Sequence, residues 1–509
     1  GLLVFFWARK MYGNAAGLFA LFLFAFSPNF IAHGRLANTD VPISFFMLLS
    51  LFCFDRALRR LTPLSAALAG VTLGMALLAK FSGLLMLPVF LIIAFIRLVD
   101  GSSMEVRFRK SFTVGMWRRK LPVMLVLFAV MIAITYGAVW AGYGFRYSAF
   151  LGGEEKPLPR FASVTSREED RPGAVFRLIH DNGLLPQAYL EGFHCVRQTM
   201  HRFSFLDGRD NWDPVKRWYR PWPHYFIMTS LYKTAGPALL FFVVAVVLAR
   251  RMSRRTWKQE TPLAVLFVVY FVVAMSSNMN IGHRHILPVI PLAIIFLSKI
   301  VNHIQGPKKS GTIVRSVIFG VLLVWCAYGT VSVYPNYLAY FNEIAGGPAN
   351  GAEHLTDSNI DWGQDLILLK RYADNHGIKK MHLCYFGTGD PFYYKIPCKL
   401  LESIKDIYRH PIEINLSNYS EKIAMGDYVA VSVTHLMDTY PQGPEVKPIL
   451  RHVRKEWTPV AKIGYSIYLY RAEKEFDVKA AREKIIRMLD YKKRDEYLLL
   501  RRLGIEPGN

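Results

Sequence analysis

Nine long apolar runs dominate this chain, at roughly 14–32, 41–57, 63–79, 81–98, 121–140, 226–249, 261–277, 285–302 and 313–333. Each has about the length an α-helix needs to cross roughly 30 Å of hydrocarbon. Backbone inside a bilayer must satisfy its own hydrogen bonds, so runs of this kind fold as a bundle of spanning helices. Hydrophobic residues make up 52% of the 509, which leaves room for a soluble part as well.

A formal net charge of +24 could point to nucleic acid, but its distribution argues otherwise. Arg9–Lys10, Arg56–Arg60, the stretch 99–120, Arg250–Arg255 and Lys308–Lys309 fall in alternate connections between the runs. That is the positive-inside pattern, and it assigns those connections to the cytoplasm. The opposite connections are nearly bare, with Asp40, Lys80 and Arg284 alone at helix ends. Charges are costly beside a bilayer, so a sparse set on one face reads as a polar site at the outer surface. The basic cluster Lys492–Arg494 with Arg501–Arg502 reads as a solvated helix face or a contact with anionic lipid.

Gly1–Trp7 reads as the tail of a helix that starts upstream, and no cleavable signal peptide is visible. The segment of about 141–225 is long, aromatic and extracytoplasmic, as expected for an interfacial lid or binding surface. The chain divides into a membrane region, 1–333, and a soluble extracytoplasmic α/β domain, 334–509. In the latter, Met381–Phe386, Tyr428–Val433 and Ile463–Tyr470 are strand-like, while Asp361–Asn375 and Val478–Leu500 look helical. The five cysteines lack metal spacing. Of Cys195, Cys384 and Cys398, on the outer side, the pair Cys384–Cys398 is the one to weigh as a disulfide.

Asp40 opens a helix in Asn38-Thr39-Asp40-Val41-Pro42, where helix capping and an active carboxylate are both open. Lys80 either snorkels to the interface or meets a phosphate. Gly282-His283-Arg284-His285-Ile286-Leu287-Pro288 packs donors at one helix end. Arginine's fork suits phosphate oxygens, whereas His283 and His285 alone lack the remaining ligands for a metal. Tyr225 and Lys233 are interfacial anchors or ligand contacts. Asp357, Asp361 and Asp365 form either a cation site or a helix cap with an acidic first turn.

Together, Ser27-Pro28, His33-Gly34-Arg35, Asn38–Pro42, Ala79–Gly83, Tyr225-Phe226 with Lys233-Thr234, and Gly282–Pro288 resemble a known family. It is the polyprenyl-phosphate-sugar-dependent glycosyltransferases of the GT-C fold, of the protein O-mannosyltransferase and aminoarabinose transferase type. The resemblance runs from Gly1 to about Tyr334, and Asp357–Asp365 looks like the tail of bacterial members. It implies a GT-C-like multi-span helical bundle with a C-terminal extracytoplasmic α/β domain. It also implies a polyprenyl-phosphate-linked sugar donor and inverting transfer to a protein, lipid or polysaccharide acceptor on the outer face, most simply of a bacterial inner membrane. Asp40 is then a second catalytic carboxylate, with a supporting or shared role. Lys80, Arg284, His285 and Lys233 hold the donor phosphate, and Arg35, Asn38, His283 and Tyr225 are substrate contacts. The family's leading acidic motif would lie upstream of Gly1. No cofactor is called for, with a divalent cation left open. The rival readings are a transporter or lipid flippase, and a non-catalytic receptor with an outer sensor domain.

Overall fold

The computed structural model describes residues 1–108, 111–150, 157–158, 161–162, 165, 171–198, 200, 202–213, 218–249, 254–304, 309–401, 420–437 and 446–480. They fall into two compact units, Gly1–Arg202 with Trp212–Tyr337, and Phe203–Asn211 with Leu338–Asn509.

The first unit is helical. Among the described residues, Asp40–Arg59, Phe81–Val99, Trp117–Gly142, Trp257–Ser276, His283–Ile304 and Thr312–Val331 are long and apolar enough to cross a membrane. Helices of this length and composition mark an integral membrane protein. Two further apolar stretches are sharply bent: Asn14–Ala25 with Pro28–Gly34, by 58°, and Tyr225–Lys233 with Gly236–Ala249, by 118°. Both bends sit at proline, which lacks an N–H and disfavours helical backbone just before it, here Ser27-Pro28 and Gly236-Pro237. The runs at 14–32 and 226–249 are thus helical but not straight, a difference from the sequence expectation.

Pro63–Ala79 is shorter and starts with a reciprocal cap. Ser65 N donates to Thr62 Oγ1 at 3.0 Å, and Thr62 N donates to Ser65 Oγ at 2.8 Å. It lies close against Trp117–Gly142 because Gly70 and Gly74 present no side chain there. A Cβ on Gly74 would stand 2.6 Å from Ala138 Cβ. Small residues at this spacing let membrane helices approach, and Thr135 Oγ1 donates across the contact to Gly70 O at 3.0 Å.

The basic connections hold a feature absent from the sequence reading. Arg60–Leu61 pairs in parallel with Met104–Arg107, which pairs antiparallel with Ser111–Val114. A buried ion pair also joins two helices: Lys299 Nζ lies 3.3 Å from both Glu260 oxygens, and Tyr12 Oη donates to Glu260 Oε1 at 2.5 Å. Charges inside apolar surroundings persist when paired in this way. Arg109, Lys110, Arg250, Arg251, Lys308, Lys492–Arg494 and Arg501–Arg502 lie outside the described residues, as does most of the helix expected over Val478–Leu500.

The second unit is an α/β fold. Its five-stranded sheet runs in the order Ala461–Ile463, Ile467–Arg471, Tyr428–Ser432, Met381–Cys384, Cys398–Leu400, with the last three strands parallel. Met381–Cys384 is buried at every position, as expected of a parallel strand covered on both faces. Leu366, Leu369 and Ala373 of helix Leu366–Asn375 pack with Leu383, Ala430 and Leu469 from the sheet. The expected strand Ile463–Tyr470 is instead a hairpin, turning between Ile463 and Ile467 at Gly464 and Tyr465. Phe205–Leu206 and Arg209–Asp210, from the long loop before Tyr225, form a small hairpin in this same unit. Asp207 N donates to His354 O at 3.0 Å, and the Asp207 carboxylate lies 2.7 Å from His354 Nδ1.

None of the five cysteines forms a disulfide. Cys398 is registered against Met381 and not against Cys384, so the strand spacing separates the two thiols. The acidic run also departs from the expected helix start. Helix Leu366–Asn375 begins after Asp365, which makes no side-chain cap. Asp361 is fully buried and accepts from Gly363 N at 3.2 Å and Thr434 N at 3.4 Å.

Burial pushes the Asp361 carboxyl up to about 8, against the opposing pull of those two hydrogen bonds. A raised carboxyl pKa gives stability that is full below the unfolded value and is lost as pH rises through the folded one. The slope approaches about 1.4 kcal/mol per pH unit. Hydrogen-exchange protection of the Val429–Val431 amides, corrected for intrinsic rate, is expected to fall between about pH 4 and 8. Asp361→Asn should flatten that profile; an unchanged profile would refute the assignment.

Candidate functional site

Residues far apart in sequence meet at one group of helix ends. Asp40 is the first residue of helix Asp40–Arg59 and is 1% exposed. Its Oδ1 accepts from Lys80 Nζ at 2.6 Å, and its Oδ2 accepts from Arg284 Nη1 at 3.3 Å. The Lys80 and Arg284 side chains are 25% and 17% exposed. The two cations therefore face outward and the carboxylate lies behind them.

Local chemistry sets each member. Asn38 Oδ1 accepts from Asp40 N at 2.8 Å, while Asn38 Nδ2 donates to His33 O at 3.2 Å. Asn38 thus does the capping, which leaves the Asp40 carboxylate for the cations. Lys80 ends helix Pro63–Ala79 in extended conformation, and a 3₁₀ turn, Phe81–Leu85, follows at once. That reversal needs Gly83, where a Cβ would stand 2.5 Å from Ala76 O.

Arg284 lies in a second 3₁₀ segment, His283–Val289. In such a turn the N–H of residue 288 would serve the carbonyl of residue 285, but Pro288 has none. Tyr270 Oη donates to His285 O at 2.8 Å and fills that role. His283 Nδ1 lies 3.3 Å from Thr229 Oγ1. Lys233 sits one turn beyond Thr229 and is 1% exposed, and Asn29 Nδ2 donates to its carbonyl at 2.7 Å.

Of the residues singled out in the sequence, Asp40, Lys80 and Arg284 come together, with Asn38 as their support. His285 lies within electrostatic range of Arg284 and Lys80, and Lys233 within range of His283 and His33. Tyr225 is buried, packed edge-on against Phe226. Arg35 points elsewhere: its Nη1 donates to Pro335 O at 2.7 Å, and its guanidinium lies over the Tyr337 ring.

Tyr270 and Arg202 escaped the sequence reading, and His33 entered it only as part of a motif, without a role. His33 is 2% exposed and lies in electrostatic range of Asp40, Arg284, Lys233 and Lys80, and Arg202 is in range of His285. A hydroxyl inside an apolar run was the available signal for Tyr270; Arg202 had none. The acidic run in the second unit does not converge on one point. Asp365 accepts from Ser466 Oγ at 2.6 Å and from Gln364 Nε2 at 3.1 Å, while Asp357 accepts from Ser358 N. Among the described residues no group of His, Cys, Asp and Glu is arranged to hold a metal ion.

Two cations share one nearly buried carboxylate, so the pairs are energetically coupled. A double-mutant cycle of Asp40→Asn with Lys80→Met, read by thermal unfolding of the full chain, should show a coupling of about 1–3 kcal/mol. Additivity within about 0.5 kcal/mol would mean that the two side chains do not interact.

Residues 1–141 match the family model of dolichyl-phosphate-mannose-protein mannosyltransferase. No curated protein matches the chain significantly. Two solved structures of ArnT from Cupriavidus metallidurans are similar at 13% identity. The one bound to undecaprenyl phosphate has a TM-score of 0.40 over 92% of this chain and 81% of that one. The apo structure has a TM-score of 0.42 over 94% and 81%. In sequence, then, this chain is similar over residues 1–141 to the dolichyl-phosphate-mannose-protein mannosyltransferases.

Proposed function

We propose that this protein is a membrane glycosyltransferase of the GT-C kind. It moves a sugar from a polyprenyl-phosphate donor to an acceptor at the extracytoplasmic face, with inversion. The observation that carries this reading is the Asp40 carboxylate held between Lys80 and Arg284 at helix ends. The family match over residues 1–141 covers Asp40 and Lys80. A transporter would instead place its ionisable groups near the bilayer midplane.

Two cations against one carboxylate leave a net positive, partly exposed entrance. That suits a phosphate whose lipid tail lies among the apolar helices. The donor phosphate takes over Lys80 and Arg284 and releases Asp40 toward the acceptor. The acceptor hydroxyl attacks the anomeric carbon opposite the bond to phosphate, and Asp40 takes its proton. The anomeric C–O bond breaks, and the polyprenyl phosphate leaves with the electron pair. Lys80 and Arg284 stabilise the charge growing on its oxygens, with His285 and Lys233 as further donors. A single displacement of this kind inverts the anomeric centre. Apolar walls strengthen both electrostatic effects by excluding water.

The side of the membrane follows from the basic connections, which favour the cytoplasm for the opposite face. The soluble unit supports the same map, since it gathers a hairpin from the loop before Tyr225 together with the chain from Leu338 onward. Those two segments then lie on one side.

The test is transfer by the full-length protein reconstituted with a polyprenyl-phosphate sugar. Acceptor-dependent consumption of donor is expected. Lys80→Ala and Arg284→Ala should each weaken donor use about 10- to 100-fold, the worth of one hydrogen bond to a charged group. Asp40→Asn should lower kcat. Normal transfer by all three variants would sink the site, and no transfer from any lipid-linked sugar would sink the function.

A further inference from the structure

Once a phosphate draws it from Asp40, Lys80 has little of its own to aim it. Its side chain is long, flexible and a quarter exposed, and its backbone is the single extended residue between a helix and a 3₁₀ turn. The next residue, Phe81, packs the start of that turn against a neighbouring helix. The Phe81 ring lies edge-on to Tyr189, with centroids 5.2 Å apart and planes at 65°, and edge-on to Phe193, at 5.6 Å and 69°. Both are favoured aromatic geometries.

Tyr189 and Phe193 stand one helical turn apart on Gln187–Gln198, so they flank a single slot. Gly192 floors it: a Cβ there would lie 3.5 Å from Phe81 Cζ. Tyr189 is itself anchored, edge-on to Tyr143 at 6.2 Å and packed with Leu77 and Val139 from two neighbouring helices. The Tyr189 hydroxyl is buried and has no hydrogen-bond partner among the described residues. The ring is therefore what this position uses.

We propose that Tyr189 and Phe193 are positioning residues for the donor phosphate. They hold Phe81 in an aromatic vice and so keep the Lys80 ammonium aimed at the site. This rests on reading Lys80 as a donor-phosphate ligand. The vice belongs to a helix of the loop segment and not to the spans that carry Asp40 and Arg284. Donor affinity thus depends on the fold of that loop segment.

The experiment measures binding of a sugar-free polyprenyl phosphate to the full chain, with thermal unfolding recorded for every variant. Tyr189→Ala and Phe193→Ala should each weaken binding about tenfold in the parent protein, and Phe193→Leu, a milder change, less so. Tyr189→Phe, which keeps the ring, should restore binding. In a Lys80→Ala background the same alanine substitutions should add no further loss, because the lysine they aim is gone. Equal losses in both backgrounds would reduce the aromatic set to general packing and overturn the proposal. So would a Tyr189→Phe defect as large as that of Tyr189→Ala, or wild-type binding by the alanine variants. If the parent protein binds no polyprenyl phosphate and Arg284→Ala changes nothing, the phosphate site itself fails and the vice falls with it. A parent that binds through Lys80 and Arg284, with indifferent Tyr189 and Phe193 variants, removes the vice alone.

Discussion

The membrane unit is organised around one shared carboxylate. Asp40 is almost sealed from solvent, yet it is paired with Lys80 and Arg284 from two other helical segments. In surroundings of low dielectric an unpaired charge is too costly to keep, so the three positions must be brought to one point or none can be buried. Around that point lie a capping asparagine, a glycine-dependent reversal, and a 3₁₀ segment completed by a tyrosine hydroxyl. The asparagine and the tyrosine each satisfy a backbone group that the site geometry would otherwise leave without a partner, and the glycine avoids a clash with Ala76 O.

The same rule explains where the helices are irregular. Around the site one stretch is bent at Ser27-Pro28 and another begins as a 3₁₀ segment holding Pro288, while the turn Phe81–Leu85 relies on Gly83 instead. Regular helix satisfies its backbone internally, and a departure from it needs side-chain partners. Asn29 and Tyr270 are such partners. The buried Lys299–Glu260–Tyr12 group obeys the same economy of charge away from the site, where charges are matched and nothing points outward. What distinguishes the site is its imbalance: more cations than carboxylate, with the cations exposed.

Much of the architecture was legible because its signals are local. Membrane-length apolar runs, alternate basic connections and short β-branched or aromatic strands each follow from composition over a few turns of chain. Bends were less legible. Ser27-Pro28 and Gly236-Pro237 are readable as breaks, but the angle depends on what the second half packs against. The acidic run Asp357–Asp365 misled for a related reason. Its spacing suits a helix start, whereas burial and the hydrogen bonds from Gly363, Thr434 and Ser466 hold it as an irregular segment.

By itself the sequence determined the class of fold, the grouping of sparse charges at helix ends, and the identity of Asp40, Lys80 and Arg284 as the residues to watch. Those conclusions rest on the cost of charge near hydrocarbon, which acts residue by residue. Only the tertiary structure decided that the three form one cluster, that Asn38 and not Asp40 caps the helix, and that Arg35 turns away to Pro335. It alone set His33 beside the cluster and brought in Tyr270 and the aromatic setting of Phe81. Apart from the Asn38 cap, which is local, such contacts join positions tens to hundreds of residues apart. No local pattern encodes them, because they exist only once the helices have packed.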